Sequence, residues 1–139
     1  MKLSVIACLL LLMACSPAPD APPTSTAMIA VSSGGMLGQS GTQIFGDDRV
    51  VVTGFDYGRA TKPTEHVIPG AYARAAAVIR TEGPGTKAQY KSPPQICMDY
   101  GTDVVQATPP IAGFDQVSAG CPDDAVLALL AHVQGAIAP

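Results

Sequence analysis

The sequence predicts a small α+β domain, a mainly antiparallel sheet with two helices packed on one face. Three observations point there. Short β-prone runs, Met28–Ser32, Thr42–Phe45, Arg49–Thr53, Gln95–Tyr100 and Asp103–Thr108, are broken by turn residues. Two stretches, one from Pro69 to Arg80 and one opening at Cys121-Pro122-Asp123-Asp124, carry helical spacing instead. Their order along the chain is strand, hairpin, helix, hairpin, helix.

In the first strand Ile29 and Val31 share a face. The glycine-rich Ser33-Gly34-Gly35-Met36-Leu37-Gly38-Gln39-Ser40-Gly41 that follows matches neither the phosphate loop nor the dinucleotide fingerprint. Nor is Ser40 a nucleophile elbow, because Gly41 follows it directly. A turn or bulge is expected there. Thr42–Phe45 and Arg49–Thr53 flank Gly46-Asp47-Asp48 as a hairpin, with the two aspartates as turn residues rather than a cation site. Residues 56–63, with Tyr57, Arg59 and Lys62, read as a polar loop. The first helix starts with Pro69 in its opening turn, runs through alanine-rich 71–77 and is expected to end at Gly83. Tyr72, Ala76 and Ile79 lie on one face, with Ala75 beside them. His66 has no acid–base partner nearby in sequence and is read as structural or solvated.

Gly83-Pro84-Gly85 and Lys91-Ser92-Pro93-Pro94 bracket a loop, in which Thr86-Lys87 lacks the upstream glycine of a phosphate loop. Gln95–Tyr100 and Asp103–Thr108 around Gly101-Thr102 suggest a type II′ hairpin, ended by Pro109-Pro110. Ile96, Met98 and Tyr100 would share one of its faces. Residues 111–120 are a loop or weak strand. In the last helix, Pro122 suits the first position and Asp123 and Asp124 suit the positive end. Val126, Leu129, Leu130, Val133 and Ile137 form its buried stripe, Leu127 widens it, and Gly135 ends or bends it. His132 lies where a cation suits the helix dipole. Asp99, Asp103 and Asp115 would make a paired-carboxylate site only if the fold brought them together.

At the N-terminus Lys2 precedes the unbroken apolar run Val5–Met13, far short of the roughly 20 residues a membrane-spanning helix needs. The run closes on Leu12-Met13-Ala14-Cys15, followed by Ser16. This resembles the lipobox of bacterial lipoproteins. The resemblance implies cleavage before Cys15, lipidation of Cys15, and anchoring at the outer membrane facing the periplasm. Residues 1–14 are then a signal peptide, residues 15–26 a lipidated cysteine and linker, and residues 27–139 the folded domain. Pro17, Pro19, Pro22 and Pro23 keep the linker extended, with a reach of roughly 30 Å at about 3.1 Å per residue.

With Cys8 removed and Cys15 lipidated, Cys97 and Cys121 remain as the one intramolecular pair in an oxidising compartment. Closing that loop contributes on the order of 3 kcal/mol in the chain-entropy model. The competing reading, a pair of metal ligands, lacks further ligands at suitable spacing. The chain carries a net charge of −3, made one unit more acidic by loss of Lys2, and shows no basic patch. Nucleic acid is therefore not an expected partner, and no cofactor is expected.

The opening strand, Ser33-Gly34-Gly35-Met36-Leu37-Gly38, a hairpin, an alanine-rich helix, a tyrosine-bearing strand pair and an acid-capped leucine helix together look like emfourin-type small proteins. That resemblance spans about residues 28–137 and rests on one motif, Ser-Gly-Gly-x-x-Gly. It implies the fold and, as an alternative function, inhibition of a thermolysin-like metalloprotease. The lipid anchor, the disulfide and the proline-rich insert near Pro93 depart from it. The expected function is a non-enzymatic binding or structural domain in the envelope, tethered to the membrane by lipid, with an envelope protein or a protease as partner.

Overall fold

The structure, a computed structural model, describes residues 26–93 and 96–138. The signal-like segment, Cys15, the linker through Ser25, and Gln95 lie outside the described residues. Among the described residues the elements run β1 (Met28–Gly35), β2 (Gly38–Phe45), β3 (Arg49–Thr53), β4 (Phe55–Asp56), β5 (Arg59–Ala60), β6 (Thr64–Val67), α1 (Ala71–Gln89), β7 (Asp103–Ile111), β8 (Phe114–Ala119) and α2 (Asp124–Ala136). A six-stranded sheet has the order β6-β3-β2-β1-β7-β8, with every neighbouring pair antiparallel. β4 and β5 form a separate two-stranded ribbon. Both helices pack on the large sheet, so the class is the α+β class that the sequence predicts.

Strand alternation puts the core on one face. Ile29, Val31, Ile44, Val50, Val105, Ala107 and Val117 meet Ala75, Ile79, Val126, Leu129 and Val133 of the helices. The alternate positions, among them Ser32, Gln43, Gln106 and Gln116, stay at least partly solvated, as a sheet covered on one side requires. α1 and α2 run in opposite senses. Arg74 Nε donates to the Ala136 carbonyl at 2.6 Å, and His132 Nδ1 lies 2.7 Å from Glu82 Oε2. His132 thus pairs with a side chain of the other helix rather than with its own helix end.

Several elements differ from the sequence reading. α1 begins at Ala71, after Gly70 in the left-handed conformation, and runs through Gly83 and Pro84 to Gln89. A proline inside a helix costs about 3 kcal/mol, so packing must offset it. Gly83 supplies that packing: a Cβ there would lie 2.9 Å from Phe114 Cγ, so only glycine lets α1 approach β8 this closely. Thr86 is buried below it, and Lys87 pairs with Asp115. In α2 the N-cap is Asp123, whose Oδ1 accepts from Ala125 N and Val126 N at 3.1 and 3.0 Å, which puts Pro122 one residue before the cap. Leu127 is exposed instead of widening the stripe. Gly135 lies inside the last turn.

The hairpin read around Gly101-Thr102 does not form. Residues 98–100 are a turn, with Asp99 and Gly101 at φ 68° and 86°, and β7 pairs with β1 and β8 instead. Cys97 is accordingly in a loop, and Ile96 and Met98 are exposed. Pro109-Pro110 does not end the strand. The β1 ladder already stops at Thr108, and the β8 ladder is irregular between Gln106 and Ile111, so no paired N–H is missed. Residues 114–119 are a full strand, and the 56–63 loop contains β5 and leads into β6.

Candidate binding surface

β1 and β2 are joined by a two-residue turn, Met36-Leu37, whose side chains are 76% and 73% exposed. The chain enters β1 at Met28, so this turn stands at the far end of the strand from the linker. Two further segments meet it there. Phe55 lies over Gly38, its ring 2.4 Å from where a Cβ would stand. After it, Tyr57 and Gly58 turn the β4–β5 ribbon with φ of 48° and 77°. Two positive φ values define a type I′ turn, which favours Asn or Asp before Gly. A tyrosine in that conformation is strained, and Tyr57 is 97% exposed, so packing offsets none of the strain.

The third segment is residues 96–102, carrying Met98 at 82% exposure. A disulfide and several hydrogen bonds hold it. Cys97 is bonded to Cys121 with a Cα–Cα distance of 5.2 Å. The Tyr100 hydroxyl donates to the carboxylate of Asp103, which is 2% exposed. Thr102 N donates to Gly34 O at 3.0 Å, and Gly101 passes so close that a Cβ would lie 1.5 Å from that same oxygen. Burial, and then the Asp103 hydrogen bond, push the Tyr100 phenol up to about 12. The disulfide read from the sequence therefore pins one wall of this end of the sheet to the start of α2.

Two shallow cavities flank the turn. One, of about 240 Å³, lies among Ser33, Leu37, Ser40, Phe55 and Tyr57. The other, of about 250 Å³, lies among Gly35, Gln39, Gly101 and Thr102. They share Gly34 and Gly38, and every residue lining either is uncharged.

The other residues considered from sequence have separate places. Asp103 and Asp115 sit toward opposite ends of the β7–β8 ladder, so they do not form a carboxylate pair. The hydrogen bond from Lys87 lowers the Asp115 carboxyl below its usual range. Asp48 is a turn residue as read, and it also caps α1: Oδ2 accepts from Gly70 N at 2.7 Å and Oδ1 from Tyr72 N at 3.0 Å. His66 is exposed on β6. Among the described residues no three His, Cys, Asp or Glu side chains are grouped to hold a metal ion, and no helix is long and apolar enough to cross a membrane. Cys15 lies outside the described residues.

Sequence reasoning missed Met36, Leu37, Phe55 and Tyr57 as a surface. Its signal was present in the glycines on both sides of Met36-Leu37, which place large apolar residues in a turn where they cannot be buried. No protein-family model matches the chain, and no curated protein matches it.

Proposed function

We propose that the protein is a bacterial outer-membrane lipoprotein, anchored through Cys15 and facing the periplasm, whose folded domain is a non-enzymatic binding module. The observation that carries the binding role is the exposed end formed by Met36, Leu37, Phe55, Tyr57 and Met98. Exposed apolar side chains clustered on a soluble domain mark interaction sites. These stand at the far end of β1 from the linker, where a tether attached before Met28 leaves them accessible. The ligand of this end is an envelope component.

A photo-crosslinking residue at Leu37 tests the reading, with the same residue at Thr81 on the exposed side of α1 as control. In intact cells the Leu37 position should capture one discrete envelope component and the Thr81 position should not. Equal, diffuse labelling from both positions overturns the binding role. Cys15→Ser should abolish partitioning into the detergent phase; an unchanged, detergent-partitioning Cys15→Ser protein overturns the anchor.

A second reading, inhibition of a thermolysin-like metalloprotease, draws on the same protruding Met36-Leu37 turn, which can enter a protease cleft. Dose-dependent inhibition of thermolysin that Leu37→Asp abolishes would favour it over the first.

A further inference from the structure

A single cavity at the start of α2 carries both signs of charge, and we infer from it that the protein binds a small zwitterion, a free α-amino acid with an apolar side chain. This cavity shares no lining residue with those beside the Met36-Leu37 turn, so the inference does not rest on the binding role of that end. Three chain segments build it. Tyr90 and Lys91 follow α1, Cys97 belongs to the 96–102 segment, and Cys121, Pro122 and Asp123 lead into α2. The Cys97–Cys121 bond fixes the second segment to the third. The volume is about 300 Å³. That is the small end of the range for ligand pockets and suits an amino acid better than a nucleotide.

Lys91 and Asp123 are the charged residues of the lining. They form no ion pair with one another, and neither is ion-paired elsewhere among the described residues. Lys87, just before Lys91 in the chain, is by contrast held by Asp115. A cation and an anion that face one cavity without pairing suit a ligand that bears both complementary charges. Asp123 is fixed in place. Its Oδ1 accepts from Ala125 N and Val126 N at 3.1 and 3.0 Å, which leaves Oδ2 to accept from an ammonium group. The same two bonds occupy N–H groups at the helix start, so a ligand carboxylate is directed to the Lys91 ammonium instead. The Asp123 charge also reaches Tyr100, whose phenol is pushed up first by burial, then by Asp103 and finally by Asp123, so this side of the cavity is negative. A purely anionic ligand would meet Asp123 and a purely cationic one Lys91, each a like-charge contact that disfavours it. Tyr90, Pro93, Pro122 and the disulfide complete the lining without charge and offer contact to an apolar side chain.

The test is titration of the purified full-length protein with leucine, N-acetylleucine and leucinamide, read by isothermal calorimetry and by tyrosine emission. The chain has four tyrosines and no tryptophan, so its emission reports the tyrosines, Tyr90 among them, directly. Leucine should bind saturably. N-acetylleucine, which lacks the ammonium group, and leucinamide, which lacks the carboxylate, should each bind at least tenfold more weakly. Lys91→Gln should weaken leucine binding tenfold or more and abolish the preference for leucine over leucinamide. Asp123→Asn should do the same for the preference over N-acetylleucine. Asparagine caps a helix as well as aspartate does, so this variant should keep its fold, which circular dichroism checks. If it unfolds, Lys91→Gln, in the exposed segment after α1, carries the test alone. Absence of saturable leucine binding overturns the assignment. So does equal binding of leucine and both blocked derivatives by the unaltered protein, or an unchanged preference in Lys91→Gln.

Discussion

Asp48 connects the β2–β3 turn to the start of α1, and its removal makes a sharp test of the fold. The cap residue of α1 is Gly70, which has no side chain to offer, so the exposed N–H groups of the first turn depend on a carboxylate 22 residues earlier in the chain. Asp48 accepts from Gly70 N and Tyr72 N and itself sits at φ 65°. Losing a cap costs about 0.5–2 kcal/mol, and a hydrogen bond to a charged group contributes about 1.5–3 kcal/mol. Asp48→Gly keeps the left-handed turn and removes only the two bonds, so it should destabilise by about 2 kcal/mol. Asp48→Ala adds the left-handed penalty of about 1 kcal/mol, for about 3 kcal/mol in all. Asp48→Asn retains one acceptor and should cost about 1 kcal/mol. Urea unfolding at pH 7, followed by circular dichroism, measures all three. Near 100 residues, 1 kcal/mol shifts Tm by roughly 4–8 °C, so Asp48→Gly should lower it by about 8–16 °C. An Asp48→Gly loss below about 0.5 kcal/mol would refute the capping role, and Asp48→Ala no worse than Asp48→Gly would refute the backbone argument.

Other expectations concern residues 96–102. The exported protein should show no free thiol by non-reducing mass spectrometry. Cys97→Ser and Cys121→Ser should each cost about 2–4 kcal/mol, and the double variant no more than either alone. Gly101→Ala meets Gly34 O at 1.5 Å with φ at 86°, so it should cost at least about 2 kcal/mol and alter tyrosine emission on denaturant titration. Tyr100 has its phenol raised in the fold, to about 12 from 10.0. Its contribution is therefore complete below pH 10 and is lost as pH rises toward 12. Tyr100→Phe should remove that alkaline loss and, at pH 7, cost about 1–3 kcal/mol by leaving the buried Asp103 carboxylate without its donor. Equal alkaline curves for wild type and Tyr100→Phe would show that this pair does not set the dependence.

Part of the fold was legible because some signals are local. Alternation in Met28–Ser32 and Arg49–Thr53, the Asp-rich turn between β2 and β3, and the leucine stripe of α2 are written within a few residues of one another. Each placed its element and gave the two-layer class. Cysteine pairing was legible too, once the resemblance of Leu12-Met13-Ala14-Cys15 to a lipobox is granted, because only Cys97 and Cys121 then remain. Tertiary structure decided the rest through contacts between distant residues. Gly83 and Pro84 look like a helix stop until Phe114 packs on the glycine and holds α1 together. Gly101-Thr102 looks like a hairpin turn until Gly34 occupies the space beside it and β1 claims the edge of β7. Pro109-Pro110 looks like a strand end until the neighbouring ladders prove to need no N–H there. The binding end is of the same kind. Met36, Phe55, Tyr57 and Met98 are scattered along the chain, and only the sheet, with the Cys97–Cys121 bond and the Tyr100–Asp103 pair, brings them to one place, because a surface depends on which backbone segments pack together rather than on any one segment's propensity.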